Sequence, residues 1–364
     1  MAALGSPAVV GLDRVPEVDA VLARLGLGRL TSAPDLAAFP GRNENWAGTT
    51  NLGYRVFVKR LGGFPAGARQ RLRRSVAFER LTAGRMAELT PRSLGWDEPA
   101  RLLVSELIDN AESVADLAAS GKLGPDLARL AGGVIGSVHQ LPTGRALPGG
   151  TADDGRPVLP SAELLRGLTW PAFCACSAGE LAAWRLMHDD EALARAVDSL
   201  LDREQQAPRV PAHCDLRLDQ LLLADGRLYV TDWEEFRLAD AARDVGSLAG
   251  EWLHRAVTGW AEQAEPERLS HRQIVRDCAD GIEQARPAIS AFWSGYRAAR
   301  PHHDHDLAER AAAFAGWHLL DRMLAAARQS VRLGALHRAA AGIGRAIMCA
   351  PAESADAIGL VRRP

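Results

Sequence analysis

A chain of 364 residues exceeds what one small hydrophobic core organises and suits one large two-lobed domain or two domains. With 47% hydrophobic residues it can bury a full core, which excludes global disorder, and a net charge of -2 excludes a long-range pull toward nucleic acid. No apolar run reaches the roughly 18 residues of a membrane span, and the N-terminus lacks the basic start and apolar core of a signal peptide. A cytoplasmic protein with neither a nucleic-acid nor a membrane partner is therefore expected. The five cysteines, Cys174, Cys176, Cys214, Cys278 and Cys349, form no CxxC pair and read as reduced thiols. Of 43 basic residues only Lys59 and Lys122 are lysines. A lysine surviving in so arginine-rich a chain marks a place where a compact ammonium matters, because the two side chains are not geometrically equivalent. Three of the four asparagines, Asn43, Asn45 and Asn51, fall in one short window.

In chain order, residues 16–29 read as a short amphipathic helix ending at Gly26 or Gly28. Residues 46–60 read as a hairpin turning at Asn51-Leu52-Gly53, with Lys59, Phe57 and Arg55 on one strand face. Residues 66–88 read as a helix with a basic stripe, Arg69, Arg71, Arg73 and Arg74, which is expected to be a solvated face; binding of an acidic leader peptide or of nucleic acid is the sharper alternative. Residues 101–108 read as a buried strand. From about Asn110 the pattern turns helical, with candidate helices near 125–140, 161–168, 178–203, 240–260, 271–298, 303–331 and 333–349. The Pro- and Gly-rich segment 142–160 reads as a surface loop. A β-hairpin interrupts the helices at 220–236, turning at Ala224-Asp225-Gly226. Strands early and helices late predict an α+β, two-lobed protein with a ligand cleft between the lobes.

The segment from His213 to Gln220, HCDLRLDQ, precedes that hairpin, and Thr231-Asp232-Trp233-Glu234 closes it. Phosphoryl transfer needs a carboxylate to orient the attacking hydroxyl, oxygen ligands for magnesium, and a cation to offset charge on the transferred group. Asp232 and the side-chain oxygen of Gln220 suit the second of these, since magnesium takes hard oxygen donors.

These two motifs resemble the catalytic loop and metal-binding motif of aminoglycoside phosphotransferases and related small kinases. The resemblance implies a two-lobed, protein-kinase-like fold of the aminoglycoside phosphotransferase type, with ATP and Mg2+ as cofactors. It divides the chain into a nucleotide-binding N-lobe, 1–109, and a mainly helical C-lobe, 110–364, carrying the catalytic loop and substrate site. It makes Asp215 the catalytic base or orienting group, sets Gln220 and Asp232 on the metal, places Arg217 where a phosphate-contacting cation belongs, and leaves His213 bracing the loop. Asp244 resembles the helix-start aspartate that bonds the catalytic-loop backbone. In the N-lobe, Lys59 corresponds to the lysine on the phosphates and Glu79 to its ion-pair partner. Gly41, Asn43 and Asn45 fall where the phosphate-covering turn belongs, and the 103–107 strand, with Ser105 and Leu107, where backbone groups meet adenine. Two departures stand out: Gln220 replaces an asparagine and Cys214 a glycine.

A narrower likeness is carried by NENWAGTT with VFVKRL, and by HCDLRLDQ with TDWEEFRLADAARDVGSLAGEW. These segments look like the kinase subunit of class V lanthipeptide synthetases and its thioamitide cousins. That likeness implies phosphorylation of Ser or Thr in a ribosomal precursor peptide, with a separate lyase as partner. The alternatives are a small-molecule, aminoglycoside-like O-phosphotransferase and a pseudokinase that only binds. Elsewhere, His302-His303-Asp304-His305-Asp306 reads as a solvated helix start rather than a metal tract. Trp252, Trp260, Trp293 and Trp317 read as core packing or pocket lining.

Overall fold

The computed structural model describes the chain apart from residues 1–10, 31–33, 40, 83–85, 87, 144–161, 260–269, 302–303, 329 and 362–364. Most of the expected loop at 142–160, Trp260, His302 and His303 therefore lie outside the described residues. The elements run α1 (Pro16–Arg24), β1 (Ala37–Phe39), β2 (Glu44–Thr49), β3 (Arg55–Arg60), α2 (Pro65–Thr82), β4 (Ser93–Asp97), β5 (Leu102–Glu106) and β6 (Glu112–Ser113). Then come α3 (Val114–Ala119), α4 (Pro125–His139), α5 (Ala162–Arg166), α6 (Trp170–Ala175), α7 (Ala178–Met187), α8 (Glu191–Gln206) and β7 (Arg209–Ala212). The chain closes with β8 (Leu221–Ala224), β9 (Arg227–Val230), β10 (Arg237–Asp240), α9 (Ala242–Thr258), α10 (His271–Ala299), α11 (Leu307–Arg328), α12 (Ala335–Cys349) and α13 (Pro351–Ala357). This is the α+β, protein-kinase-like architecture that the motif order implied.

The chain forms two compact units. The first takes the N-terminal segment through Ser113 and, from far along the sequence, Gln220–Arg237. Its sheet is antiparallel, in the order β1-β2-β3-β5-β4. One face packs Trp46, Val56, Val58, Leu102 and Val104 against Val18, Val21 and Leu22 of α1. Alternation along β3 puts Phe57 and Lys59 on the opposite face from Val56 and Val58. The β2–β3 turn needs Gly53 at φ 82°. The second hairpin, β8–β9, joins this unit through β6 and through Val230, whose N–H donates to the Leu89 carbonyl. Its turn holds Asp225 at φ 49° and Gly226 at φ 73°, the two left-handed positions of a two-residue hairpin turn.

The second unit, built on Val114–Leu141, Gly155–Asp219 and Leu238–Pro364, is helical apart from the short β7–β10 pair. α4 lies close against α10 because both backbones carry glycine at the crossing. A Cβ on Gly132 would stand 1.9 Å from the Phe292 carbonyl oxygen, and one on Gly295 would stand 2.0 Å from that of Arg129. That closeness brings His139, at the end of α4, to Tyr296 of α10. Trp252, Trp293 and Trp317 are buried, as their helical placement suggested.

The differences from the sequence reading have local causes. The expected helix 178–203 is two helices, because Asp189 turns left-handed at φ 62° and Asp190 caps α8 by accepting from the Leu193 N–H at 3.0 Å. The helix expected over 66–88 ends as α2 at Thr82. β1 and β4 are too short and irregular to carry a period-two signal; β4 contains a register shift at Ser93–Gly95. Among the described residues no helix is long and apolar enough to cross a membrane.

Candidate active site

In the first unit the candidate residues collect around one buried carboxylate, and it is not the expected one. Lys59 reaches from β3 to the carboxylate of Asp232 and, at 2.9 Å, to Oε2 of Glu234. Glu234 is 4% exposed and takes three further side chains. Arg42 donates to Oε1 at 2.6 Å, Arg71 to the same oxygen at 2.9 Å, and Asn43 Nδ2 to Oε2 at 2.9 Å. Burial alone would raise this carboxyl; Lys59, Arg71 and Arg42 overcome that and hold it well below the usual carboxylate range.

Helix α2 reaches this cluster through one face. Arg71 meets Glu234, Arg74 meets Glu235 at 2.7 Å, and Phe78 stacks on Trp233 with ring centroids 3.5 Å apart and planes 8° off parallel. Phe78 also meets the edge of Phe236 at 5.3 Å. Positions i, i+3 and i+7 share a helix face, so these are one docking stripe. The basic stripe expected to be solvated is therefore divided. Arg69 and Arg73 are exposed, whereas Arg71 and Arg74 are buried and paired with carboxylates of the chain itself.

Glu79 does not pair with Lys59. Among the described residues no hydrogen bond or ion pair reaches its carboxylate, and burial pushes it up to about 7. The stripe of Arg71, Arg74 and Phe78 sets the roll of α2, and Glu79 stands about 100° of helix rotation from Phe78.

Around the 41–45 turn, Asn43 is committed inward. Its Oδ1 accepts from the Gly62 N–H at 3.1 Å and from Arg71 at 3.3 Å, while its Nδ2 holds Glu234. It braces the turn between Gly41 and Asn45. Asn45 stands opposite Lys59 in the β2–β3 register, with its Nδ2 on the Asn43 carbonyl at 3.4 Å. Ser105 lies mid-strand between Phe57 and Ser93. The Leu107 N–H donates to the Arg55 carbonyl at 3.2 Å.

The hairpin brings Gln220 and Asp232 to adjoining ends. Leu221 pairs with Val230, and the Thr231 N–H and hydroxyl donate to the Gln220 carbonyl at 2.9 and 3.1 Å. Asp232, next along, adopts φ 67° and ψ 51°. One carboxylate and one side-chain amide make a sparse oxygen set, which fits magnesium arriving with a nucleotide's phosphates, since that ion uses one or two carboxylates plus phosphate and water. Among the described residues no group of three His, Cys, Asp or Glu could cage a metal alone.

In the second unit the catalytic-loop segment is held from behind. Asp244, in the first turn of α9, accepts from the N–H of His213 at 2.6 Å and of Cys214 at 2.8 Å. His139 Nε2 meets the same carboxylate at 3.0 Å, His139 Nδ1 meets the Tyr296 hydroxyl at 2.9 Å, and Arg300 donates to that hydroxyl at 3.0 Å. Burial opposes charge on Asp244, yet these donors keep its carboxyl below the usual value. The loop turns at Cys214, φ 66°, where the resembled family has glycine. Asp215 then stands 44% exposed, with Arg217 3.7 Å from its carboxylate and 3.2 Å from that of Asp219.

Sequence reasoning missed Glu234, Arg42, Arg71, His139 and Tyr296. Glu234 sat in the quoted TDWE motif, and the Arg71, Arg74, Phe78 spacing was a readable stripe. Nothing in the sequence ties His139 to Asp244.

The family model described as the phosphotransferase enzyme family matches residues 35–287, most of the chain, and the chain belongs to that family. No curated protein matches it. Among solved structures, it is similar to a choline/ethanolamine kinase family protein from Mesorhizobium loti at 18% identity, covering 94% of this chain and 99% of that one with a TM-score of 0.52. It is also similar to choline kinase LicA from Streptococcus pneumoniae, at 16% identity, 91% and 98% coverage and TM-score 0.53. A putative fructosamine-3-kinase from Thermobifida fusca YX-ER1 follows at 17% identity, 92% and 100% coverage and TM-score 0.50. These findings support the family and not the narrower likeness to lanthipeptide synthetase kinases. They overturn the expected partners: the similar structures are named as kinases of small molecules, so the precursor peptide and its lyase are withdrawn.

Proposed function

We propose that this protein transfers the γ-phosphoryl group of ATP to a hydroxyl of a small molecule. The observation that carries the reading is the family match over residues 35–287, which contains every candidate residue from Gly41 to Asp244. The acceptor class follows the choline and fructosamine kinases it resembles.

In this reading Asp215 orients the acceptor hydroxyl and takes its proton as oxygen attacks phosphorus and the bond to the ADP oxygen breaks. Its exposure and its buttressed loop suit that role. Lys59 binds the phosphates, and Arg217 offsets charge on the transferred group. Gln220 and Asp232 would hold magnesium, which supplies charge neutralisation on the phosphates. His213 and Asp244 fix the loop.

The test is incubation with ATP, Mg2+ and a panel of amino alcohols, aminoglycosides and sugar amines, with products weighed for one added phosphoryl group. Asp215→Asn is expected to lower turnover by about 10³-fold or more while leaving ATP affinity within about threefold. Near-normal turnover by that variant would remove Asp215 from the chemistry.

A further inference from the structure

The kinase-like reading assigns Lys59 a carboxylate partner on α2, but the chain puts that partner elsewhere. Among the described residues Lys59 pairs with two carboxylates, those of Asp232 and Glu234. Asp232 is the residue the reading commits to magnesium, so a second carboxylate must keep the ammonium placed when that cation is bound. Glu234 fits: it is buried and it lies two residues on. It is also fixed from outside, because Arg71 bridges its Oε1 to Asn43 and to the Gly62 carbonyl, while Asn43 Nδ2 holds Oε2.

From these contacts we infer that Glu234 is the positioning residue for Lys59 in place of Glu79, and that Arg71 couples it to α2 and the 41–45 turn. The inference rests on the phosphotransferase reading and deepens it. Three features of the sequence are explained together. Arg71 stays buried because its charge is matched. Asn43 is an asparagine because it must donate to Glu234 and accept from Gly62 and Arg71 at once, which neither Asp nor Leu can do. Glu79 is free to lie a quarter turn off the docking stripe because no ammonium depends on it. The arrangement also differs from a movable helix carrying the partner carboxylate. Here Lys59, the turn and α2 share one anion within a single unit, so α2 cannot shift without breaking the Arg71, Arg74 and Phe78 contacts together.

The experiment measures affinity for a fluorescent ATP analogue, in Mg2+ and in EDTA, for the full chain and for Lys59→Met, Glu234→Gln, Glu79→Gln and the Lys59→Met/Glu234→Gln double variant. Glu234→Gln is expected to weaken binding about tenfold in both buffers, and to add less than about twofold in the Lys59→Met background, because its effect passes through Lys59. Glu79→Gln is expected to stay within about twofold of the parent. Thermal melts accompany each variant. Should Glu234→Gln fail to fold, Arg71→Lys, which keeps the charge but breaks the bridge, is expected to weaken binding about threefold. Equal losses in Glu79→Gln and Glu234→Gln overturn the assignment. So does a Glu234→Gln deficit that vanishes in EDTA, which would make Glu234 a metal ligand, and so does full additivity in the double variant. If the parent binds no analogue, or Lys59→Met binds it normally, the phosphotransferase reading falls and the inference with it.

Discussion

The Glu234 cluster and the Asp244 cluster solve the same problem, holding a functional group still, by opposite means. Around Glu234 the anchors are long cationic side chains from three separate segments, and Arg42 among them is 63% exposed on its side chain. Around Asp244 the anchors are two backbone N–H groups and one short side-chain relay through His139, Tyr296 and Arg300, all inside a buried network. The first arrangement tolerates loss of a member, since Lys59 keeps Asp232 and Arg71 keeps Gly62 and Asn43. The second does not: without Asp244, two buried amides lose their acceptor together. The ammonium is placed by shared charge and the catalytic loop by geometry.

Removing each hub is the strongest way to break that contrast. Asp244→Ala is expected to cost about 3–5 kcal/mol of stability, as for a buried group whose partners are stranded, read from the shift in denaturant midpoint. If Asp244→Ala proves milder than Glu234→Ala, the division between a geometric and a charge-shared anchor is wrong.

Glu79 offers a pH test of the same contrast. Its carboxyl is raised by burial from the ordinary 4.5 to about 7, so the folded protein holds this proton more tightly than the unfolded chain does. Between those values the unfolded chain releases it first, and this group's contribution falls as pH rises, levelling above about 7. Glu79→Gln is expected to lose that slope and to gain about 1–3 kcal/mol at pH 8 relative to the parent, in paired denaturation curves at pH 5 and pH 8. A Glu79 carboxyl found titrating below 4 by NMR would mean that it pairs with a cation after all, and the two-hub description would need a third.

The smallest effect concerns Cys214. A non-glycine residue at φ 66° is strained by about 1 kcal/mol, partly offset in Cys214→Gly by the greater freedom of the unfolded chain. A net gain of about 0.5 kcal/mol with turnover retained is expected, measured by thermal melts. A loss of stability would show that the thiol's packing, and not the turn, decides the residue at this point.

Much of this was legible in order. The α+β class followed from strands early and helices late, and the β8–β9 hairpin from Asp225-Gly226 between apolar runs. Lys59 stood out because lysine is nearly absent, and its strand face followed from alternation. The partner of Lys59 was not legible. Position-by-position analogy supplied Glu79, whereas the roll of α2 was set by Phe78 stacking on Trp233, more than 150 residues away. The break between α7 and α8 was missed for a smaller reason, a single left-handed aspartate that periodicity does not register.

The sequence by itself determined the kinds of element, their order and the chemistry each could offer, because alternation, turn residues and motif spacing act over a few neighbours. Which charge neutralises which was settled only in the tertiary structure. Burying Arg71 and Arg74 demands carboxylates wherever the aromatic contact happens to set them down, and that contact joins α2 to a hairpin the sequence embeds among helices. Likewise, only the close glycine crossing of α4 and α10 could deliver His139 to the carboxylate that holds the catalytic loop.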